Sequence, residues 1–204
     1  MTAVAYIANQ FPSAIESYVM DEIEELRSRG VSVVCCSGQY VPPTLAEVRT
    51  RAFRDETRYF QPLSDTRLIA AARRLVRHPN VYSSLLKPVL RDRRTATVRR
   101  VRGLVHTLLG AALADELEPL GVEHIHAHHG YFSSWIALAA ADLLNIGFSF
   151  TLHGSDLFLR ADLLDAKLRA CRFCFTVSDF NRDYILRMYP STPPSKVMVR
   201  RLGV

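Results

Sequence analysis

Five of the seven histidines in this 204-residue chain fall in two short segments, His124-Ile125-His126-Ala127-His128-His129-Gly130 and His153-Gly154-Ser155-Asp156. Alternate residues of a strand share a face, so His124, His126 and His128 are expected to point the same way. Three imidazoles on one side of a strand could ligate zinc or iron. No carboxylate or cysteine stands at a familiar ligand spacing beside them, which favours imidazoles hydrogen-bonded within the fold. His153 closes the run Phe148-Ser149-Phe150-Thr151-Leu152, and Gly154 after it permits a tight turn and close ligand approach. An imidazole placed there can hold or release a proton near neutral pH. Asp156 reads first as the cap of a following helix. Cys171-Arg172-Phe173-Cys174 has redox or zinc spacing but lies in an apolar strand, and Cys35-Cys36 puts one thiol on each face of another, so all four cysteines read as core.

These residues must be held by an alternation of strands and helices. Residues 4–8 form a short apolar run, as in a strand buried on both faces. Ser13 and Glu16 have the spacing of a capping box, Val19, Ile23 and Leu26 recur at helical spacing, and Gly30 stops the helix. Residues 31–36 are the next strand, which completes a parallel βαβ unit. Thr44 and Glu47 suggest a second capping box, and residues 57–60 a short strand. From 66 to 118 the pattern is helical, interrupted at Pro79 and near Pro88. Val98, Val101, Val105, Leu108 and Ala112 are expected on the inner face of the last of these helices, with Arg99, Arg100 and Arg102 turned away. Strands then follow at 124–128, 148–152, 172–177 and 196–202, with helices at 132–144, 163–170 and 179–188 and Ser178 as an N-cap. The fold class is α/β: a Rossmann-like, doubly wound, mostly parallel sheet with a helical insertion at about 44–118. Ligands of such sheets sit beyond the carboxyl ends of the strands, here Asn9 to Pro12, His126 to Gly130, His153 to Asp156, and Ser178. The first turn has no glycine, which argues against a dinucleotide there, although a helix starting at Ser13 could attract an anion.

Charge is uneven. Lys and Arg number 26 against 20 Asp and Glu, and eleven of the basic residues, from Arg67 to Arg102, lie between 66 and 113 with Asp92 the one acid among them. A solvated face is the leading reading, ahead of contact with an anionic membrane surface. Nucleic acid ranks last, since Tyr82 is the one aromatic there for base stacking. No apolar run reaches the ~18 residues of a membrane-spanning helix. The absence of a basic segment before the first apolar run and the low cysteine content point to an intracellular protein.

The order of Phe-Pro-x-x-x-Glu, helix, Gly30 and strand, followed by HIHAHHG, FTLHGSD, AKLRACRFCFTVSDFNRDYI and KVMVRRLGV, resembles the N-terminal half of the retaining GT-B glycosyltransferases of family four, those of bacterial polysaccharide and lipopolysaccharide synthesis above all. The resemblance implies a first Rossmann-like domain over residues 1–204 that binds mainly the acceptor. A second domain, absent from this chain, would bind the nucleotide-sugar donor. It also implies that His128 and His153 face donor sugar and acceptor as catalytic residues, and that no metal or cofactor is needed. Asn9, Ser13, Gly130, Gly154, Ser155, Asp156 and Ser178 complete the expected substrate-binding set. The acceptor would be a glycan or lipid-linked, and the location cytoplasmic, with Arg67 to Arg102 against the inner face of the membrane and no nucleic-acid partner. The chain by itself would be inactive. The competing readings are a metal-dependent hydrolase using His126, His128 and His153, and a basic membrane-surface binding module.

Overall fold

A computed structural model describes residues 3–13, 16–40, 42, 48–91, 97–159 and 161–201. The first βαβ unit is β1 (Ala3–Gln10), α1 (Ser17–Ser28) and β2 (Ser32–Gln39). Gly30 stops α1 with φ +80°, and the amides of Gly30 and Val31 donate to the carbonyls of Arg27 and Leu26, two of the helix-end acceptors. The start of α1 differs from expectation. Glu16, not Ser13, is the residue before the first turn, and it makes no side-chain cap. Its carboxylate is engaged elsewhere, as described below.

Between β2 and β4 (His124–His128) lie α2 (Val48–Glu56), the two-residue β3 (Arg58–Tyr59), α3 (Asp65–Arg77), a π-helical turn at Tyr82–Leu86, α4 (Lys87–Arg91) and α5 (Thr97–Leu117). The suggested cap at Thr44 and Glu47 lies outside the described residues. After β4 come α6 (Phe132–Leu144), β5 (Gly147–Leu152), α7 (Gly154–Phe158), α8 (Leu164–Ala170), β6 (Phe173–Thr176), α9 (Asp179–Met188) and β7 (Val197–Val199).

The described strands form one sheet of seven in the order β3-β2-β1-β4-β5-β6-β7, every pairing parallel. Parallel strands need helical crossovers, so both faces of the sheet are covered. Val19, Met20 and Ile23 of α1 pack on Tyr6, Ala8, Val33 and Cys35. The opposite face holds Ile7, Cys36, Ile125, Ala127 and Phe150 under the alanines of α6 and α5. Cys35 and Cys36 thus go to opposite faces, and Cys171 and Cys174 are buried and free.

The inner face of α5 corrects the expected one in part: Leu108 and Ala112 pack on the core, but the valines do not. Val98, Val101 and Val105 are exposed, whereas Gly103, Thr107, Gly110, Ala114 and Leu117 are buried. Helices can approach closely where side chains are small: Gly103 of α5 faces Val89 of α4, and Thr107 and Gly110 face α6. A Cβ built on Gly110 would stand 2.5 Å from that of Ala139. Thr107 accepts the Trp135 indole N–H at 2.9 Å across the same contact.

Candidate active site

Strand order reverses at β1 and β4, and the candidate residues gather at the carboxyl ends of those strands and of β5, where a crevice forms in such sheets. Asp156 is at the centre. It is fully buried, and its Oδ2 accepts from the backbone N–H of Gly130 at 2.8 Å and of His153 at 3.1 Å. The β4–α6 and β5–α7 turns are therefore joined by one carboxylate. Burial works against its charge, yet these bonds and His129 hold it below the usual carboxylate range. Gly130 is required there, since a Cβ would run into Leu152.

His129 lies between two acids. Its Nε2 is 2.6 Å from Glu16 Oε1 and its Nδ1 is 3.4 Å from Asp156 Oδ1. Burial alone would discharge the ring, but the Asp156 and Glu16 carboxylates outweigh it and push the pKa up to about 9. Glu16 is held low by the same hydrogen bond. His153, with its ring centroid 4.7 Å from that of His129 and 5.7 Å from Tyr18, moves the other way. Burial and then the charge on His129 bring it down to about 4, so it is neutral at physiological pH. Below the turn, the buried Lys167 of α8 donates to the carbonyls of Gly130 at 2.7 Å and Tyr131 at 3.0 Å. Its burial brings the ammonium down to about 7.

His124, His126 and His128 do share a face, the one beneath α1. His126 uses both nitrogens on hydroxyls, Nδ1 with Ser149 Oγ at 2.8 Å and Nε2 with Thr151 Oγ1 at 3.1 Å. Burial lowers it to about 3. His124 Nε2 shares Ser149 at 2.7 Å. His128 Nε2 is 3.0 Å from Glu22 Oε2 of α1, and Glu22 also bonds Tyr6. Glu22, His126 and His128 offer ligand atoms within 4.8 Å of one another. His153 is not in that group, which corrects the expected trio of His126, His128 and His153.

The structure brings His128, Gly130, His153 and Asp156 together. Gly154 and Ser155 begin α7 beside them, with Ser155 exposed. Asn9 is exposed at the end of β1 and Ser13 half-buried after it; among the described residues neither is hydrogen-bonded to the cluster. Ser178 is occupied as the N-cap of α9, accepting from Asn181 N–H at 3.2 Å. The His153 ring is less open than its place at a strand end suggests, because Nε2 is enclosed and has no hydrogen-bond partner among the described residues. Sequence reasoning missed Glu16, Glu22 and Lys167 as members and placed His129 in the right turn without giving it a role. Glu22 follows Val19 by three positions and so borders the inward face of its helix, which was a usable signal; nothing local marked Lys167. The basic segment is partly neutralised: Arg67 pairs with Glu116, Arg74 with Asp115 and Glu118, and Arg99 with Asp162. No described helix is long and apolar enough to cross a membrane.

Among solved structures, this chain is similar to UDP-GlcNAc 2-epimerase from Neisseria meningitidis bound to UDP-GlcNAc, at 15% identity and a TM-score of 0.59 over 98% of this chain. It spans 46% of that epimerase's length. The likeness is one of fold, a Rossmann-like half of the GT-B kind. A comparison with curated proteins found no match. The sequence model of Glycosyltransferase Family 4 matches residues 15–204, from the start of α1 through the last strand, and the chain therefore belongs to Glycosyltransferase Family 4.

Proposed function

We propose that this chain is the acceptor-side half of a retaining glycosyltransferase that moves a sugar from a nucleotide-sugar donor to a glycan or lipid-linked acceptor in bacterial cell-surface polysaccharide synthesis. The observation that carries this reading is His153: a neutral imidazole beside the switch point whose enclosed Nε2 has no hydrogen-bond partner among the described residues, its backbone N–H held by the Asp156 carboxylate. Buried polar atoms are ordinarily satisfied, and those left over concentrate at sites of function. A neutral imidazole can give or accept a hydrogen bond at a sugar hydroxyl. The donor's diphosphate would be held mainly by a second domain closing over this edge, and residues 1–204 alone would turn over little substrate because donor and acceptor would not be held together. The protein would work in the cytoplasm, peripheral to the inner face of the membrane, without nucleic acid and without a cofactor.

The test is sugar transfer by the whole protein from a panel of nucleotide sugars to lipid-linked and free glycan acceptors, with the product anomer read by NMR. Transfer with the donor's anomeric configuration kept is the expected result. Inversion removes the retaining mechanism, and no transfer from any donor removes the reading. A second reading, a metal-dependent hydrolase, draws on the grouping of Glu22, His126 and His128. Against it, both His126 nitrogens are already bonded to Ser149 and Thr151. Stoichiometric zinc, manganese or iron in the purified protein would favour the hydrolase.

A further inference from the structure

We propose that His129 is a positioning residue: with Glu16 and Asp156 it forms an ionic clip that fastens the start of α1 to the two turns carrying His128 and His153, and so sets the place and protonation of the His153 imidazole. The role assigned to His153 rests on the glycosyltransferase reading above; the clip itself does not.

Three observations support it. The two ring nitrogens of His129 face carboxylates from different elements, Glu16 at 2.6 Å and Asp156 at 3.4 Å, and Asp156 uses its other oxygen on the amides of Gly130 and His153. One charged ring therefore ties together three loops that are far apart in sequence. His129 also has φ +70°, a left-handed conformation costly for a residue with a Cβ. That turn places its ring between the two acids. Finally, the segment is braced from beneath by Lys167, which holds the carbonyls of Gly130 and Tyr131.

Nε2 is hydrogen-bonded to Glu16 and Nδ1 is enclosed, facing Asp156 Oδ1 at 3.4 Å, so His129 acts through its neighbour. The groups around His129 and the imidazoles beside it are Glu16 before α1, Tyr18 and Glu22 from α1, His128 and Tyr131 from its own turn, His153 and Asp156 from the β5–α7 turn, and Lys167 from α8. The carboxylates keep His129 charged through neutral pH. That charge adds to burial in keeping His153 neutral, against the opposing pull of Asp156 and Glu16. Removing it should let His153 take up a proton at higher pH.

The experiment is a histidine ¹⁵N NMR titration of the whole protein, wild type and His129→Gln, with transfer kinetics on whichever donor proves active. In the wild type, His129 should stay protonated through pH 8 and His153 neutral down to pH 5. In His129→Gln the His153 midpoint should rise by about one pH unit or more, the acid limb of the rate profile should move with it, and kcat should fall about tenfold while the donor KM changes little, the scale expected of a small misplacement. Should that variant fail to fold, Glu16→Gln removes one carboxylate from the rim of the site and should lower the His129 midpoint. A wild-type His129 that deprotonates below pH 7, or a His153 midpoint unmoved in His129→Gln, overturns the clip. If no donor supports transfer, the functional reading falls while the titration still decides the clip.

Discussion

At the scale of the residue, the site is built on charges placed where a fold would ordinarily avoid them. His153→Ala in the whole protein should lower turnover about 10²-fold with the fold intact, the usual loss on removing a positioned polar group; an unchanged rate alongside normal circular dichroism would make His153 structural. Lys167 gives a separate test of the turn. Replacing it with methionine keeps the volume but leaves the Gly130 and Tyr131 carbonyls without a donor, and should cost about 2 kcal/mol of stability. The pH dependence has a definite sign. The folded ammonium titrates at about 7, below its ordinary value of 10.5, so the unfolded chain binds more protons between those values and Lys167 makes stability rise with pH across that window. His129 does the opposite: its contribution is complete below about 6.5 and is lost as pH rises to about 9. The two offset one another in the wild type. Melting curves of Lys167→Met from pH 7 to 10 should therefore lack the rise, leaving the decline due to His129 to show; a curve parallel to wild type would place Lys167 outside the linkage.

At the scale of the element, α5 shows how packing overrides patterning. Its valines at 98, 101 and 105 have helical spacing, but bulk is not what its contact with α6 accepts. Gly110→Ala should destabilise by about 1–3 kcal/mol through overpacking, since the new methyl would meet Ala139 at 2.5 Å and the Ile136 carbonyl at 2.8 Å. Alanine's better helix propensity offsets about 1 kcal/mol of this at most. A Gly110→Ala protein as stable as wild type in urea would mean that α5 and α6 can slide apart.

At the scale of the molecule, the proposed contact with an anionic membrane surface can be tested on the basic segment. With Arg67, Arg74 and Arg99 paired internally, the basic residues left exposed include Arg73, Arg77, Lys87, Arg91 and Arg102. Exposed Val76, Leu90, Val98, Val101 and Val105 share the same helices, the mixture expected of helices resting on anionic lipid. At about 1 kcal/mol per charge near the surface, the protein should sediment with anionic vesicles at low salt and release at high salt. Arg102→Glu together with Arg91→Glu should weaken binding by about tenfold or more. Equal binding to neutral and anionic vesicles, or none to either, leaves the segment a solvated face.

The amino-acid sequence was enough for the sheet and its direction. Apolar runs bounded by Gly30, Gly130 and Gly154, alternating with helical periods, specify parallel strands because the signals are local and repeat every few residues. His128 and His153 could be placed for the same reason, as His128 closes β4 and His153 follows β5, with Asp156 three residues on in α7. What the tertiary structure alone decided is which of them meet, and in what charge state. Glu16 read as half of a local cap and instead crosses to His129, 113 positions away. Lys167 carried no local mark and lies under the β4–α6 turn. The valines at 98, 101 and 105 of α5 read as core and face outward, while Gly103, Thr107, Leu109 and Gly110 are the residues that are buried. Such pairings depend on contacts far apart along the chain, and the pKa of a group follows from its burial and its neighbours in space, neither of which the local order of residues contains.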